Sequence, residues 1–152
     1  MGEFEKLYKK DQYHISRWEK NYTDEEFYKI NKSIRKELEK LLSKNKKLTP
    51  KQKFICAMIY HHGFNITSSK KALRFIKESQ VEGYFRQRWL IASIIDRLLQ
   101  LQGKLQKYGT QIVKLEKGKY KQYGLDGSIT DKDRVEIGLP KLKELRGYLE
   151  RK

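Results

Sequence analysis

The chain has 152 residues, with 35 Lys and Arg against 19 Asp and Glu, a formal charge of +16. A hydrophobic share of 38% and an aromatic share of 12%, ten Tyr among them, supply enough apolar surface for a packed core and argue against disorder. No apolar run has the length of a membrane span, the first residues are too charged for a secretion signal, and Cys56 alone excludes an internal disulfide or a zinc knuckle.

These features lead us to expect a cytoplasmic protein in a reducing compartment. Residues 1–152 are expected to form one domain: an N-terminal helical extension (1–22), a helical core (24–102) and a C-terminal part (103–152) holding a hairpin and short helices.

Phe4 to Lys20 carries apolar residues at Leu7, Tyr8, Ile15 and Trp18 and reads as a helix. Thr23 and Glu26 form a capping box ahead of Phe27, Ile30, Ile34, Leu38, Leu41 and Leu42, whose spacing predicts an amphipathic helix over 24–45. Thr49, Pro50 and Gln52 mark a second start, with Phe54, Ile55, Met58 and Ile59 as the apolar stripe and Gly63 as the stop. Ser68 or Thr67 is the expected cap of a further helix ending at Gly83, and another is expected from Tyr84 to Gln102.

Beyond Gly103 the pattern changes. Thr110 to Leu115 reads as a strand, Glu116 to Lys119 as a turn, and Tyr120 to Tyr123 as the return strand. Thr130 can cap a short helix, and Pro140 opens a last one with Leu142, Leu145 and Leu149 inward. The expected fold is mainly α, a helical-hairpin stack with a small β-hairpin near the C-terminal third.

The charge is uneven. Residues 29–53 hold ten Lys and Arg against two Glu, and residues 103–123 hold six Lys against Glu116. Such blocks read either as a face for a polyanion or as a Lys-rich solvated surface. Only nine of the 35 basic residues are Arg, the side chain suited to bidentate phosphate and base recognition, which favours the solvated-surface reading.

The segment from Phe85 to Leu101 is apolar nearly all round, which predicts a central buried helix. Asp96 and Arg97 break it. Neighbours on a helix point about 100° apart, so each needs its own partner. In the helix that ends before Gly63, His62 shares the face of Ile55, Met58 and Ile59, and a histidine at a helix C-terminus is either a dipole partner or an acid–base group. One Cys and few His leave no ligand set for a metal, and no cofactor motif is present.

Asp96-Arg97, then Gly103-Lys104-Leu105-Gln106-Lys107-Tyr108-Gly109-Thr110-Gln111, then Arg134 with Gly138-Leu139-Pro140, resembles a bacterial domain family of unknown function. Its signature is a DR pair, a G-x-x-Q-x-YGTQ run and R-x-x-x-GLP. Ala57 to Gly63 is similar to that family's A-M-I-x-Q-H-G segment, with His61 in place of the usual Gln, and the stretch from His62 to Asp96 loosely resembles a Sel1-type helical repeat. The resemblance implies positions and not a reaction.

Those positions suggest one polar pocket. His62 would be the acid or base and Asp96 its orienter or a second base. Arg97 and Arg134 would clamp an anion, and Gln106, Tyr108, Thr110 and Gln111 would place the ligand. The ligand expected is a nucleotide or phosphorylated metabolite, with hydrolysis or group transfer as the reaction classes. The competing reading is a buried network that locks the C-terminal part in place. Two other classes stay open: nucleic-acid binding through the Lys-rich blocks, with Tyr108, Tyr120 and Tyr123 stacking on bases, and a helical protein-interaction module. No membrane contact is expected.

Overall fold

The computed structural model describes residues 1–114, 120–122 and 124–144. In chain order these form α1 (Glu3–Ile15), α2 (Trp18–Asn21), α3 (Asp24–Lys44), α4 (Pro50–His61), α5 (Ile66–Val81), α6 (Leu90–Leu101), the short strands β1 (Ile112–Lys114) and β2 (Tyr120–Gln122), and α7 (Asp131–Glu136). No helix among the described residues is long and apolar enough to cross a membrane. The chain gathers into two compact units, Met1–Phe85 and Arg86–Lys152. The division falls inside the stretch 24–102 expected as one helical core, and it places α6 with the C-terminal residues.

The fold class needs a correction. The architecture is mainly helical, and a β-hairpin does not belong in its description. What the hairpin region contains is three antiparallel residue pairs, Ile112 with Gln122, Val113 with Lys121 and Lys114 with Tyr120. A ribbon of that length is no independent layer. The expected turn, Glu116 to Lys119, lies outside the described residues, as do Leu115 and Tyr123. Leu142 to Glu144 are helical, and the remainder of the expected last helix, with Leu145 and Leu149, lies outside the described residues too.

In the first unit the helix starts follow from capping chemistry. Thr23 and Glu26 make a reciprocal box at α3, and Thr49 and Gln52 make one at α4 with Pro50 in the first turn. At α5 the cap is Asn65, whose side chain accepts from the Ser68 amide at 2.8 Å, rather than Thr67 or Ser68. The expected first helix divides at Ser16 and Arg17 into α1 and α2.

Helix α4 is the centre of this unit. Every residue from Phe54 to His61 is buried, more than the one-sided stripe expected, and α4 packs extensively on α5 as well as on α1 and α3. Cys56 is fully buried there, and burial pushes its thiol up to about 12, so it stays protonated at neutral pH.

The α4–α5 turn depends on Gly63. A Cβ added there would stand 2.7 Å from both Cβ and Oγ of Ser68 and 3.1 Å from the Tyr60 carbonyl oxygen. Ser68 cannot move freely, because its Oγ accepts from Arg35 Nη1 at 3.1 Å and its amide is tied to Asn65. Phe64 follows with φ of 52°, a strained conformation for a bulky side chain, and its ring packs among Trp18, Phe27 and Tyr28. Gly63→Ala should cost about 1–3 kcal/mol by overpacking. Urea denaturation would show it as a lower midpoint at unchanged slope; an unchanged midpoint would mean that Ser68 yields without cost.

In the second unit α6 begins at Leu90, later than expected. Gln87 has φ of 51° and its carbonyl accepts from the Leu90 amide, so residues before Leu90 turn rather than coil into the helix. Phe85 and Trp89, expected on a buried face, are 56% and 40% exposed. Leu90, Ala92, Ser93, Ile94 and Asp96 are buried. The short α7 starts on a capping box of Thr130 and Asp133, whose hydrogen bonds hold the Asp133 carboxyl below its usual range.

Candidate functional site

The residues after α6 come back to meet it. Asp96 is completely buried and its carboxylate accepts four hydrogen bonds from one loop. Oδ1 takes the amides of Lys107 and Tyr108 at 2.8 and 2.9 Å, while Oδ2 takes the amide and hydroxyl of Thr110 at 3.0 and 2.7 Å. Between them Gly109 adopts φ of 78°, which lets successive amides converge on one side chain. Arg97 has a separate partner: its Nε donates to Gln111 Oε1 at 2.7 Å.

Gln106, also completely buried, acts as a substitute ladder rung. Its Oε1 accepts the Gln111 amide at 2.9 Å and its Nε2 donates to the Gln111 carbonyl at 3.1 Å. Its own backbone bridges to Leu125, accepting from the Asp126 amide and donating to the Gly124 carbonyl. The Gln111 side-chain amide donates to Thr110 Oγ1 at 3.1 Å and to the carbonyl and hydroxyl of Ser93 at 3.4 Å.

Arg134 reaches the same loop from α7. Its Nη1 donates to the Tyr108 carbonyl and its Nε to the Pro140 carbonyl at 3.0 Å. Burial lowers the guanidinium below its ordinary value, against the pull of Asp131 and Asp96. Its Nη2 is buried without a hydrogen-bond partner. Burial, with Asp96 and Asp133 nearby, raises the Tyr108 phenol, so it stays protonated at neutral pH.

Asp96, Arg97, Gln106, Tyr108, Thr110, Gln111 and Arg134 therefore meet in one place. They spend their hydrogen bonds chiefly on each other and on the loop backbone. The two guanidiniums point at an amide oxygen and at carbonyls, where an anion clamp would present them to a ligand.

His62 belongs to the first unit, and its partner there is Asp11. Nδ1 lies 2.7 Å from Asp11 Oδ2, and both residues are buried. The carboxylate beside His62 is that of Asp11, a residue that sequence reasoning missed. A signal existed: Phe4, Leu7 and Asp11 follow at helical spacing, so the carboxylate sits on the apolar stripe of α1, as Asp96 does on α6. Among the described residues His62 Nε2 has no hydrogen-bond partner, and 11% of the side chain stays exposed. Among the described residues no three His, Cys, Asp or Glu side chains group as a metal would require.

The first unit also carries the strongest charge pattern. On α3, Lys29, Lys32, Lys36, Lys40 and Lys44 are all exposed, and at 100° per residue they fall within about 120° of the helix circumference over about 22 Å. Lys29 pairs with Glu25 at 3.4 Å. Among the described residues Lys32, Lys36, Lys40 and Lys44 have no carboxylate within 4 Å. Glu37 and Glu39 lie to either side of this ridge, and Glu37 is occupied by Lys10 at 3.1 Å. No protein-family model, curated protein or solved structure matches the chain.

Proposed function

We propose that the protein binds a polyanion, nucleic acid by preference, through the lysine ridge of α3. The observation that supports this most directly is the run of four exposed lysines along one helix face with no carboxylate partner among the described residues. A surface whose charges are solvated at random would scatter lysines around the helix and pair many of them with acids. Lysines rather than arginines on the ridge suit contact with phosphates and not with base edges, so sequence preference should be weak.

The alternative of a phosphate-binding pocket at Arg97 and Arg134 has less support, because both side chains already serve the loop. The test is anisotropy of a labelled oligonucleotide across a salt series. The wild type should bind at about 50 mM salt with a steep dependence. Replacing Lys32, Lys36, Lys40 and Lys44 with Gln should lower the logarithmic salt slope by about three, with unchanged circular dichroism. A wild type that fails to bind at low salt, or a variant with the same slope, would overturn the reading.

A further inference from the structure

A hollow lies beyond the C-terminal end of α3, bordered by residues on a different side of that helix from the ridge. Where α3 ends at Lys44, the connection to α4 and the facing side of α5 border an open hollow of about 630 Å³, within the size range of small-molecule sites. Leu42, Leu48 and Phe75 provide apolar wall. Lys46, Lys47 and Arg74 line it, and among the described residues none of the three has a carboxylate within 4 Å. Arg74 is held in place by its guanidinium over the Phe75 ring, 4.6 Å from the centroid.

The fourth cation, Lys53, is already used. It donates to Glu82 and stands 3.5 Å from Glu78, and its side chain is only 17% exposed. Those three side chains together carry one negative charge, and Lys46, Lys47 and Arg74 carry three positive. The hollow therefore has an excess of two. A phosphodiester brings one negative charge, whereas a phosphate monoester brings nearly two at neutral pH. Its three terminal oxygens can accept from three separate cations, and the apolar wall suits the sugar or base beside it. The acids Glu78 and Glu82 stand on the same lining and can accept from hydroxyl or amino groups.

We infer that this hollow is a binding site for a phosphate monoester. That chemistry has two sources, a free mononucleotide and the phosphorylated end of a strand lying along the ridge; only the second rests on the polyanion reading.

The experiment uses the full chain and three probes. Adenosine monophosphate is titrated calorimetrically against adenosine. A 5′-phosphorylated oligonucleotide is compared by anisotropy with a 5′-hydroxyl oligonucleotide one nucleotide longer, which equalises the number of phosphates. If the site takes strand ends, the phosphorylated strand binds about tenfold tighter, as one added charge-assisted contact would give. That preference disappears in Lys46→Gln/Lys47→Gln and persists in the ridge variant.

If the source is the free nucleotide, adenosine monophosphate binds, adenosine does not, and the two strands bind alike. Loss of monophosphate binding in Arg74→Gln and in the Lys46 and Lys47 variant, with unchanged circular dichroism, supports the same site. Binding of monophosphate without binding of either strand overturns the polyanion reading and keeps the hollow. Equal affinity of the two strands together with no monophosphate binding overturns the hollow and leaves the ridge standing.

Discussion

Asp96→Ala should destabilise the second unit by about 3–5 kcal/mol, the cost of breaking a buried charged arrangement from one side. The substitution removes four acceptor contacts at once and leaves the amides of Lys107, Tyr108 and Thr110 aimed at a void. Asp96→Asn keeps the shape but turns one oxygen into a donor facing donors, so it should lose a smaller but still large part of the stability. The two tryptophans make the measurement local, since Trp18 lies in the first unit and Trp89 in the second. Urea denaturation in a Trp18→Phe background, followed by Trp89 fluorescence, reads the second unit. A loss below about 1 kcal/mol for the alanine variant would fall within the range of an ordinary neutral hydrogen bond and would mean that the carboxylate does not hold the loop.

The second large effect lies at Asp11 and His62. Removing either alone leaves a buried polar partner uncompensated, so Asp11→Ala and His62→Ala should each destabilise the first unit substantially, Asp11→Ala by up to about 3–5 kcal/mol. The double variant should cost clearly less than the sum. A coupling of about 0.5–3 kcal/mol is expected for groups in direct contact. The readout is Trp18 fluorescence in a Trp89→Phe background. Additivity within about 0.3 kcal/mol would show that the 2.7 Å approach of Nδ1 to Oδ2 contributes nothing specific.

Much of the helical plan was legible because it is written in short-range chemistry. Thr23 with Glu26, Thr49 with Gln52 and Thr130 before Asp133 each satisfy orphan amides within four residues, and each starts a helix where the spacing implies. The burial of Asp96 was legible as a contradiction between its charge and its neighbours, and so was the need of Arg97 for a different partner. The identity of those partners was not. Gln106 and Gln111 look like ordinary polar loop residues in sequence, and only their placement turns one side chain into a rung for the other's backbone.

Three features depended on tertiary context. The late start of α6 rests on a left-handed Gln87, for which no residue type at that position is a signal. The cap of α5 fell to Asn65 because Gly63 permits the tight approach to Ser68 that sets the turn. Asp11 escaped notice because α1 offers only Phe4 and Leu7 as its deeply buried apolar companions, a stripe too narrow to make one acid conspicuous. The extended pairing after Gly103 carried a strand-like composition, yet it does not define the fold.

The ties on Asp96 come from positions only 11 to 14 residues further along the chain. Closing so short a segment forfeits little chain entropy, and the penalty grows slowly with length. The acid therefore recruits its donors from the same neighbourhood of the polypeptide. Assembly of this knot can proceed as soon as the segment through Gln111 has emerged, before residues from the far terminus have arrived.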